Sequence, residues 1–215
     1  YIEVNKQITA NQPVIAIDAG GTNFRTAKVY FDEKMELKTE KLKNSKMPAV
    51  DKELAKDEFF KTMAGYLKEY VNDSEKIGLC FSYAVEIYPN KDGKLLEWSK
   101  EIKAPGVIGE MVGKNLLESL GTPDKQIVLL NDTVATLLAG HSTAAGKNYD
   151  TFIGFILGTG TNTCYIESNK SITKTKGLDL SKNQIINIES GNFAKVTQTD
   201  IDKLFDSQTK NPGRY

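Results

Sequence analysis

Short apolar runs alternate with mixed polar segments along this chain, and the first of them predicts a β-hairpin. Residues 14–17 are continuously apolar, a glycine-rich turn follows, and residues 24–31 alternate between two faces. Alternation with a period of two on the far side of a turn is typical of paired strands. A dinucleotide-binding fold would place a helix directly after the glycines, so the pattern argues against that fold.

Helices and further strands follow in the rest of the chain. Apolar residues three and four positions apart predict helices, and short apolar runs bounded by turn residues predict strands. The predicted helices lie within 51–70, 107–120, 132–141 and 200–205, and the predicted strands lie within 32–48 and at 77–84, 127–130 and 185–190.

A second hairpin, at 152–167, repeats the first. Gly160-Thr-Asn162 corresponds to Gly21-Thr-Asn23, and an apolar strand precedes each turn. Two copies of one strand–turn–strand unit indicate an internal duplication and not a solenoid.

Composition and charge exclude several classes of protein. The 215 residues contain 28 Lys and Arg against 28 Asp and Glu, whereas proteins that bind nucleic acid usually carry an excess of basic charge. No run approaches the roughly 18 apolar residues of a membrane span. Residues 1–12 lack the basic and apolar regions of a signal peptide. We therefore expect a cytoplasmic protein that has neither nucleic acid nor membrane as its partner, and its oligomeric state stays open.

The first glycine turn has two interpretations. Glycines let backbone N–H groups surround an anion, and the Asp18 carboxylate at the strand end could hold Mg²⁺, through water. Alternatively, Asp18 could bond to its own turn in a polar hairpin tip. The second, related turn favours the phosphate-binding interpretation, because two facing turns could hold a triphosphate.

Asp132 lies where a predicted strand gives way to a predicted helix, which also leaves two interpretations. Asp and Asn are preferred residues at helix N-termini, so Asn131 and Asp132 could serve as caps. Alternatively, Asp132 is a base that faces a cleft, kept ionised by the helix dipole. Ser82, Ser99, Lys100 and Glu189 could bind sugar oxygens, but each alone is equally typical of a solvated surface.

Six segments, taken in order, resemble those of the hexokinase family of the actin-like ATPase superfold. The resemblance extends from about residue 14 to the end of the chain. Segments 17–25 and 157–162 resemble the family's phosphate motifs, 130–139 resembles its catalytic-base motif, and 81–83, 95–100 and 187–189 resemble its sugar-binding motifs.

The resemblance implies an α/β protein with two lobes of ribonuclease H-like character, in which mixed sheets are flanked by helices. We expect an N-terminal tail at 1–12, a first, small lobe at 13–130, and a partial second, large lobe at 131–215. Family members continue beyond the last matching segment, so the second lobe is expected to be incomplete.

The resemblance also implies a reaction: transfer of the γ-phosphoryl group of ATP to the 6-hydroxyl of a hexose, glucose being favoured. Asp132 would be the catalytic base and Asp18 would position Mg²⁺. The implied sugar-binding residues are Ser82, Ser99, Lys100, Asn131, Asp132, Asn162 and Glu189. The implied residues around the nucleotide phosphates are Asp18, Gly20, Gly21, Thr22, Asn23, Arg25, Gly158, Thr159 and Gly160.

Two departures from the family pattern keep other functions open. The family's Trp-Thr-Lys-Gly-Phe is Trp98-Ser-Lys-Glu-Ile102 here, which exchanges a glycine for a charge beside the sugar loop, and the family's adenosine-binding motif has no counterpart. A third departure predicts a looser turn, because the family's Ser-Phe-Pro is Ser82-Tyr83-Ala84 here and lacks the proline. The alternative to an enzyme is therefore a sugar sensor of hexokinase type that binds hexose without turnover. An actin-like or chaperone-type ATPase without a sugar site is disfavoured by the sugar-binding segments.

Overall fold

The computed structural model of the chain describes residues 8–98, 102–143, 149–158, 160–193, 195–209 and 212–213. Ten strands and four α-helices are assigned within these ranges. The strands are β1 (Val14–Ala19), β2 (Asn23–Phe31), β3 (Leu37–Lys46), β4 (Lys76–Phe81), β5 (Ala84–Ile87), β6 (Gly93–Glu97), β7 (Gln126–Leu130), β8 (Ile153–Leu157), β9 (Thr161–Ser168) and β10 (Asn183–Asn187). The helices are α1 (Lys56–Leu67), α2 (Val112–Leu120), α3 (Asp132–Thr143) and α4 (Asp200–Ser207).

A five-stranded mixed sheet dominates the first part of the chain, in the order β3-β2-β1-β4-β7. β1 pairs antiparallel with β2, which confirms the first predicted hairpin, and it pairs parallel with β4 on its other side. β7 extends the parallel part of the sheet. In the parallel half, the carboxyl ends of β1, β4 and β7 therefore meet at one edge.

Helix α1 covers this sheet with one apolar face. Its buried residues recur at helical spacing, which matches the pattern that predicted the helix: Phe59, Phe60, Met63, Ala64 and Leu67. They join a continuous core with the strands and with α2. The core fixes the edge where the three parallel strands end.

Helix α2 is shorter than the predicted helix at 107–120. The chain first forms a short 3₁₀ turn at Pro105–Val107, and Ile108 after it is half exposed. Gly109 has a φ of 86°, which an α-helix does not allow, so the 3₁₀ turn does not continue into α2. The helix starts at Val112 because the buried Asp92 carboxylate accepts hydrogen bonds from the backbone N–H groups of Gly113 and Lys114, at 2.7 and 2.9 Å.

The predicted strand at 77–84 is two strands in the structure. β4 ends at Phe81, and the N–H of Tyr83 donates to the Phe81 carbonyl at 2.9 Å, so the chain bends before β5 begins at Ala84. β5 then forms a small antiparallel pair with β6.

The second part of the chain contains a three-stranded sheet in the order β10-β9-β8, antiparallel throughout. The β8–β9 pair confirms the second predicted hairpin. Helix α3 packs on this sheet through a small buried cluster of Val134, Leu137 and Cys164. The first sheet is thus mixed, as expected, whereas the described strands of the second run in alternating directions.

Candidate active site

Three predicted site segments begin where the adjacent parallel strands end. Asp18, Cys80 and Leu130 lie opposite one another across β1, β4 and β7. Strands in a sheet are about 4.8 Å apart, so the backbones of Asp18 and Leu130 lie about 10 Å apart. The first glycine turn, Ser82 and Asp132 follow these strand ends and can face one small ligand.

The first glycine turn is closed by a backbone hydrogen bond from the N–H of Gly20 to the Asn23 carbonyl, at 3.0 Å. Neighbouring segments hold it from outside. The Tyr83 hydroxyl donates to the Gly20 carbonyl at 2.6 Å, and the N–H of Ser82 donates to the Ala19 carbonyl at 3.2 Å. The turn is therefore fixed to the end of β4.

Asp18 forms an ion pair across this hairpin. Arg25 lies opposite it in the register, and its Nη1 donates to Asp18 Oδ2 at 2.9 Å. Both side chains are about half exposed. Arg25 supports the hairpin in this way and also places a guanidinium beside the turn.

The single carboxylate of Asp18 fits Mg²⁺ when water and phosphates supply the other ligands of the ion. The described residues contain no group of three or more His, Cys, Asp or Glu side chains that could hold a metal ion. Mg²⁺ commonly takes one or two carboxylates and completes its shell with water and substrate phosphates. Asp18 is therefore suited to an Mg²⁺ ion that binds together with the phosphates of a nucleotide.

Asn131 and Asp132 share the start of α3. The N–H of Thr133 donates to Asn131 Oδ1 at 2.9 Å and to Asp132 Oδ1 at 2.8 Å. Asn131 is buried and Asp132 is half buried. Both side chains therefore bond to the N-terminus of α3, as the capping interpretation predicts. Asp132 is also partly exposed, so a ligand can reach it.

A polar cluster of Asn131, Asn162, Asn187 and Glu189 connects α3 to the second sheet. Asn162 is buried, and its Nδ2 donates to Asn187 Oδ1 at 2.9 Å, to Glu189 Oε1 at 3.1 Å and, more weakly, to Asn131 Oδ1 at 3.5 Å. Asn187 Nδ2 also donates to Glu189 Oε1 at 2.7 Å. The cluster brings together three predicted sugar-binding residues that are far apart in the sequence.

Glu189 reaches this cluster through an uncommon backbone conformation. Its φ is 55°, in the left-handed region that residues other than glycine rarely adopt. Such conformations concentrate at functional sites. The neighbouring Gly191 lies so close to the Thr161 carbonyl that a Cβ would collide with it. The Glu189 segment is therefore packed tightly against the start of β9.

The second glycine turn adjoins the cluster, because Asn162 lies at the start of β9. The N–H of Gly158 donates to the Gly160 carbonyl at 2.9 Å, which closes the turn. Gly158 and Gly160 are exposed. Thr159, predicted to contact phosphate, lies outside the described residues.

The predicted sugar loop is anchored by Trp98. Its ring packs against those of Phe59, Phe81 and Tyr83, and its Nε1 donates to the Ala104 carbonyl at 2.9 Å. Ser99 and Lys100, which carry the predicted sugar contacts, lie outside the described residues. The hydrogen bond joins Trp98, which precedes these residues, to Ala104, which follows them.

A cavity of about 200 Å³ lies beside the polar cluster. Asn131 and Asn187 line it together with apolar residues of β5 and β10, so it opens between the two sheets. A larger hollow of about 580 Å³, near Asp92 and Lys114, contains none of the predicted site residues.

Comparison with known proteins decides the family. Two family models, both described as Hexokinase, match residues 9–142 and 152–215. The chain belongs to the hexokinase family.

Hexokinases of known sequence and structure resemble the chain over most of its length. Hexokinase-7 of Oryza sativa subsp. japonica is 34% identical over an alignment of 218 positions, which covers 92% of this chain and 46% of that protein. A glucokinase of Aspergillus niger is 31% identical over 93% of this chain and 47% of its own length. The chain thus spans less than half the length of these curated relatives.

A solved hexokinase from Schistosoma mansoni, complexed with glucose, shows the same fold. It has a TM-score of 0.73 and 25% identity, and the match covers all of this chain and 51% of that one. The two-lobed actin-like ATPase fold expected from the sequence is thereby confirmed.

Two residues at the hexokinase-like site were missed by the sequence analysis. Asn187 was quoted in a sugar-binding segment but given no role, yet it bonds to both Asn162 and Glu189. Tyr83 was given no role, because its segment was noted only for the missing proline, yet Tyr83 is 1% exposed and holds the first glycine turn.

Among the described residues, no helix is both long and apolar enough to cross a membrane.

Proposed function

We propose that this hexokinase-family chain contributes to the ATP-dependent phosphorylation of a hexose, glucose being favoured, at its 6-hydroxyl. One observation carries the proposal: the polar cluster joins Asn131, next to Asp132, to Asn162 and Glu189. The proposed base and the proposed sugar-binding residues are therefore neighbours. The glucose complex of the similar Schistosoma mansoni hexokinase supports the choice of sugar.

Asp132 is the proposed catalytic base. In phosphoryl transfer the base orients the attacking hydroxyl and accepts its proton. The Thr133 N–H holds one carboxylate oxygen of Asp132, which fixes the direction of the other.

The two glycine turns are the proposed phosphate-binding elements. The first would contribute Gly20, Gly21, Thr22, Asn23 and Arg25, and the second would contribute Gly158, Thr159 and Gly160. Asp18 would hold Mg²⁺, which supplies positive charge that offsets the charge of the phosphates. Arg25 adds a cation on the same side of the hairpin.

Hydroxyl groups of the sugar would be bound from both parts of the chain. Ser82, Ser99 and Lys100 would act from the first part, and Asn131, Asn162 and Glu189 from the second. A boundary between lobes near residues 130–131 agrees with the packing, because the buried cluster under α3 is separate from the core of the first sheet. Closure of such lobes would exclude water from the phosphates.

The test combines a binding and a turnover measurement on the purified protein. Calorimetry measures glucose binding, and a coupled assay measures ADP release with and without glucose. We expect glucose-dependent ADP release, which the Asp132→Asn variant lowers by about 10²–10⁴-fold, the range of a general base. Glucose binding should be preserved in that variant.

Asp57→Asn is the matched control. Asp57 also lies in the first turn of a helix, α1, but it is exposed and belongs to none of the proposed site segments. It should leave turnover unchanged. Near-normal turnover in Asp132→Asn would show that the base is wrong. Glucose binding without ADP release would favour the sugar sensor, and the absence of both would refute the proposal.

A further inference from the structure

We propose that Tyr83 is a positioning residue that couples the sugar loop to the first phosphate-binding turn, an inference that rests on the proposed function. Its hydroxyl holds the Gly20 carbonyl, and its ring holds Trp98 at the start of the sugar loop.

The contact with the turn is short and partly buried. The Tyr83 hydroxyl lies 2.6 Å from the Gly20 carbonyl oxygen, and Tyr83 is 1% exposed. A partly shielded carbonyl that loses its donor loses a favourable hydrogen bond, so this bond constrains where Gly20 lies. Gly20 is also the residue whose N–H closes the turn onto Asn23. The position of the turn therefore depends on the Tyr83 hydroxyl.

The contact with the sugar loop is aromatic. The rings of Tyr83 and Trp98 meet edge to face, with centroids 4.8 Å apart and an interplanar angle of 89°. Phe81 packs on both rings and Phe59 on Trp98, so the cluster is closely packed. Close-packed interiors transmit displacement because they contain little free volume. A movement of Trp98 on hexose binding would therefore reach Tyr83.

Burial keeps the Tyr83 hydroxyl protonated, so that it can donate to Gly20. Desolvation raises the pKa of Tyr83 far above that of an exposed tyrosine. The hydroxyl stays protonated throughout the pH range in which kinases work. It is therefore a constant donor to Gly20, and the coupling should not vary with pH between about 6 and 9.

Tyr83→Phe tests the proposal, because it removes the donor and keeps the ring. Trp98 is the single tryptophan of the chain and lies at the sugar loop, so its fluorescence reports hexose binding. Glucose is titrated in the absence and presence of Mg²⁺ with a non-hydrolysable ATP analogue. The ratio of the two dissociation constants gives the coupling between the sites.

In the wild-type chain we expect the nucleotide analogue to tighten glucose binding by at least about fivefold, the lower end of typical coupling. Tyr83→Phe should change the glucose dissociation constant without analogue by less than about twofold, but should bring the coupling ratio close to one. A side chain with a merely structural role would lower the melting temperature without moving this ratio.

Tyr70→Phe is the matched control. Tyr70 is also fully buried, and its hydroxyl donates to the Lys41 carbonyl at 2.5 Å, but its bonded partners, Lys41 and Thr26, lie on β3 and β2 and not in either glycine turn. It should lower stability as Tyr83→Phe does and leave the coupling ratio at the wild-type value.

The outcomes separate the two proposals. Absence of glucose binding in the wild type refutes the proposed function itself. Glucose binding with equal coupling in wild type and Tyr83→Phe, or with no coupling in the wild type, overturns the role of Tyr83 alone. If Tyr83→Phe does not fold, hydrogen exchange of the wild-type segment 19–24 decides. Glucose must slow exchange there, and unchanged exchange overturns the proposal.

Discussion

The two larger sheets of the described chain, the first of five strands and the second of three, hold their site residues by different means. The first sheet and its helices share a continuous core in which large side chains such as Phe24, Phe60 and Leu79 are at most 1% exposed. In the second part, the buried cluster contains only Val134, Leu137 and Cys164 among the described residues. One face of β8 stays open, with Ile153 and Leu157 69% and 77% exposed.

This difference shows how the candidate site is built. On the first side, apolar packing fixes the strand ends, and the site residues follow from them. On the second side, the hydrogen bonds of Asn162 position Glu189 and Asn187. Such a polar cluster is rigid when every member is bonded and loses much of its stability when one is removed. The second side should therefore be the more easily disturbed half of the site.

Replacement of a core leucine in each part should give the largest difference between the stabilities of the two parts. Leu79→Ala, in the interior strand β4, should lower the free energy of unfolding of the first part by about 2–5 kcal/mol. Leu137→Ala should lower the stability of the second part and leave that of the first nearly unchanged. Denaturant unfolding followed by hydrogen exchange measures both. Equal losses in both parts for Leu137→Ala would show one cooperative unit.

Two Gly→Ala substitutions should have effects of opposite sign. A Cβ on Gly154 would lie 2.6 Å from Cys164 Sγ and from the Thr133 carbonyl oxygen, so Gly154→Ala should destabilise the second part by about 1–3 kcal/mol. A Cβ on Gly65, an exposed position within α1, meets nothing within 4 Å. Gly65→Ala should stabilise by about 0.5–1 kcal/mol.

Thermal unfolding of both variants measures this contrast. A stable Gly154→Ala protein would mean that α3 can move away from β8 at little cost. The tight packing beneath the proposed base would then be less important than the geometry suggests.

The smallest effect is expected at α4, which has no buried residue among those described. Hydrogen bonds from Thr199 form a capping box and lower the pKa of Asp202 in the folded chain. The capping box therefore stabilises α4 fully at pH values above the pKa of Asp202 in the unfolded chain. This stabilisation is lost as the pH falls through the lowered pKa of the folded chain. Circular dichroism should show a small loss of helicity below about pH 4. Thr199→Ala should cost the helix about 0.5–2 kcal/mol and weaken this acid transition, in which the backbone N–H of residue 199 still takes part.

Local patterns predicted most of the fold. Period-two alternation located the first hairpin, the repeated Gly-Thr-Asn turn located the second, and the helical spacing from Phe59 to Leu67 located α1. The predictions failed where contacts between segments distant in the sequence determine where a helix or strand begins or ends. Asp92 sets the start of α2 from 21 residues away, and the bend at Tyr83 divides one apolar run into two strands.

The site could be predicted in part for the same reason. Segments 130–139 and 17–25 have distinctive residue types in a fixed order, so they were found. The strand order that brings them to one edge could not be obtained from spacing alone. Asn187 and Tyr83 were missed because an amide and a hydroxyl acquire their importance from partners such as Asn162 and Gly20, which the fold supplies.

The account depends most on the claim that one hexose contacts both parts of the chain. Calorimetric titration of glucose into the wild type, Ser82→Ala and Glu189→Gln tests this directly, since each variant makes a small change on one side of the site. We expect one glucose per chain, bound at least about fivefold more weakly in both variants, as for the loss of one hydrogen bond to a buried ligand. Wild-type affinity in either variant would contradict a site shared by the two parts.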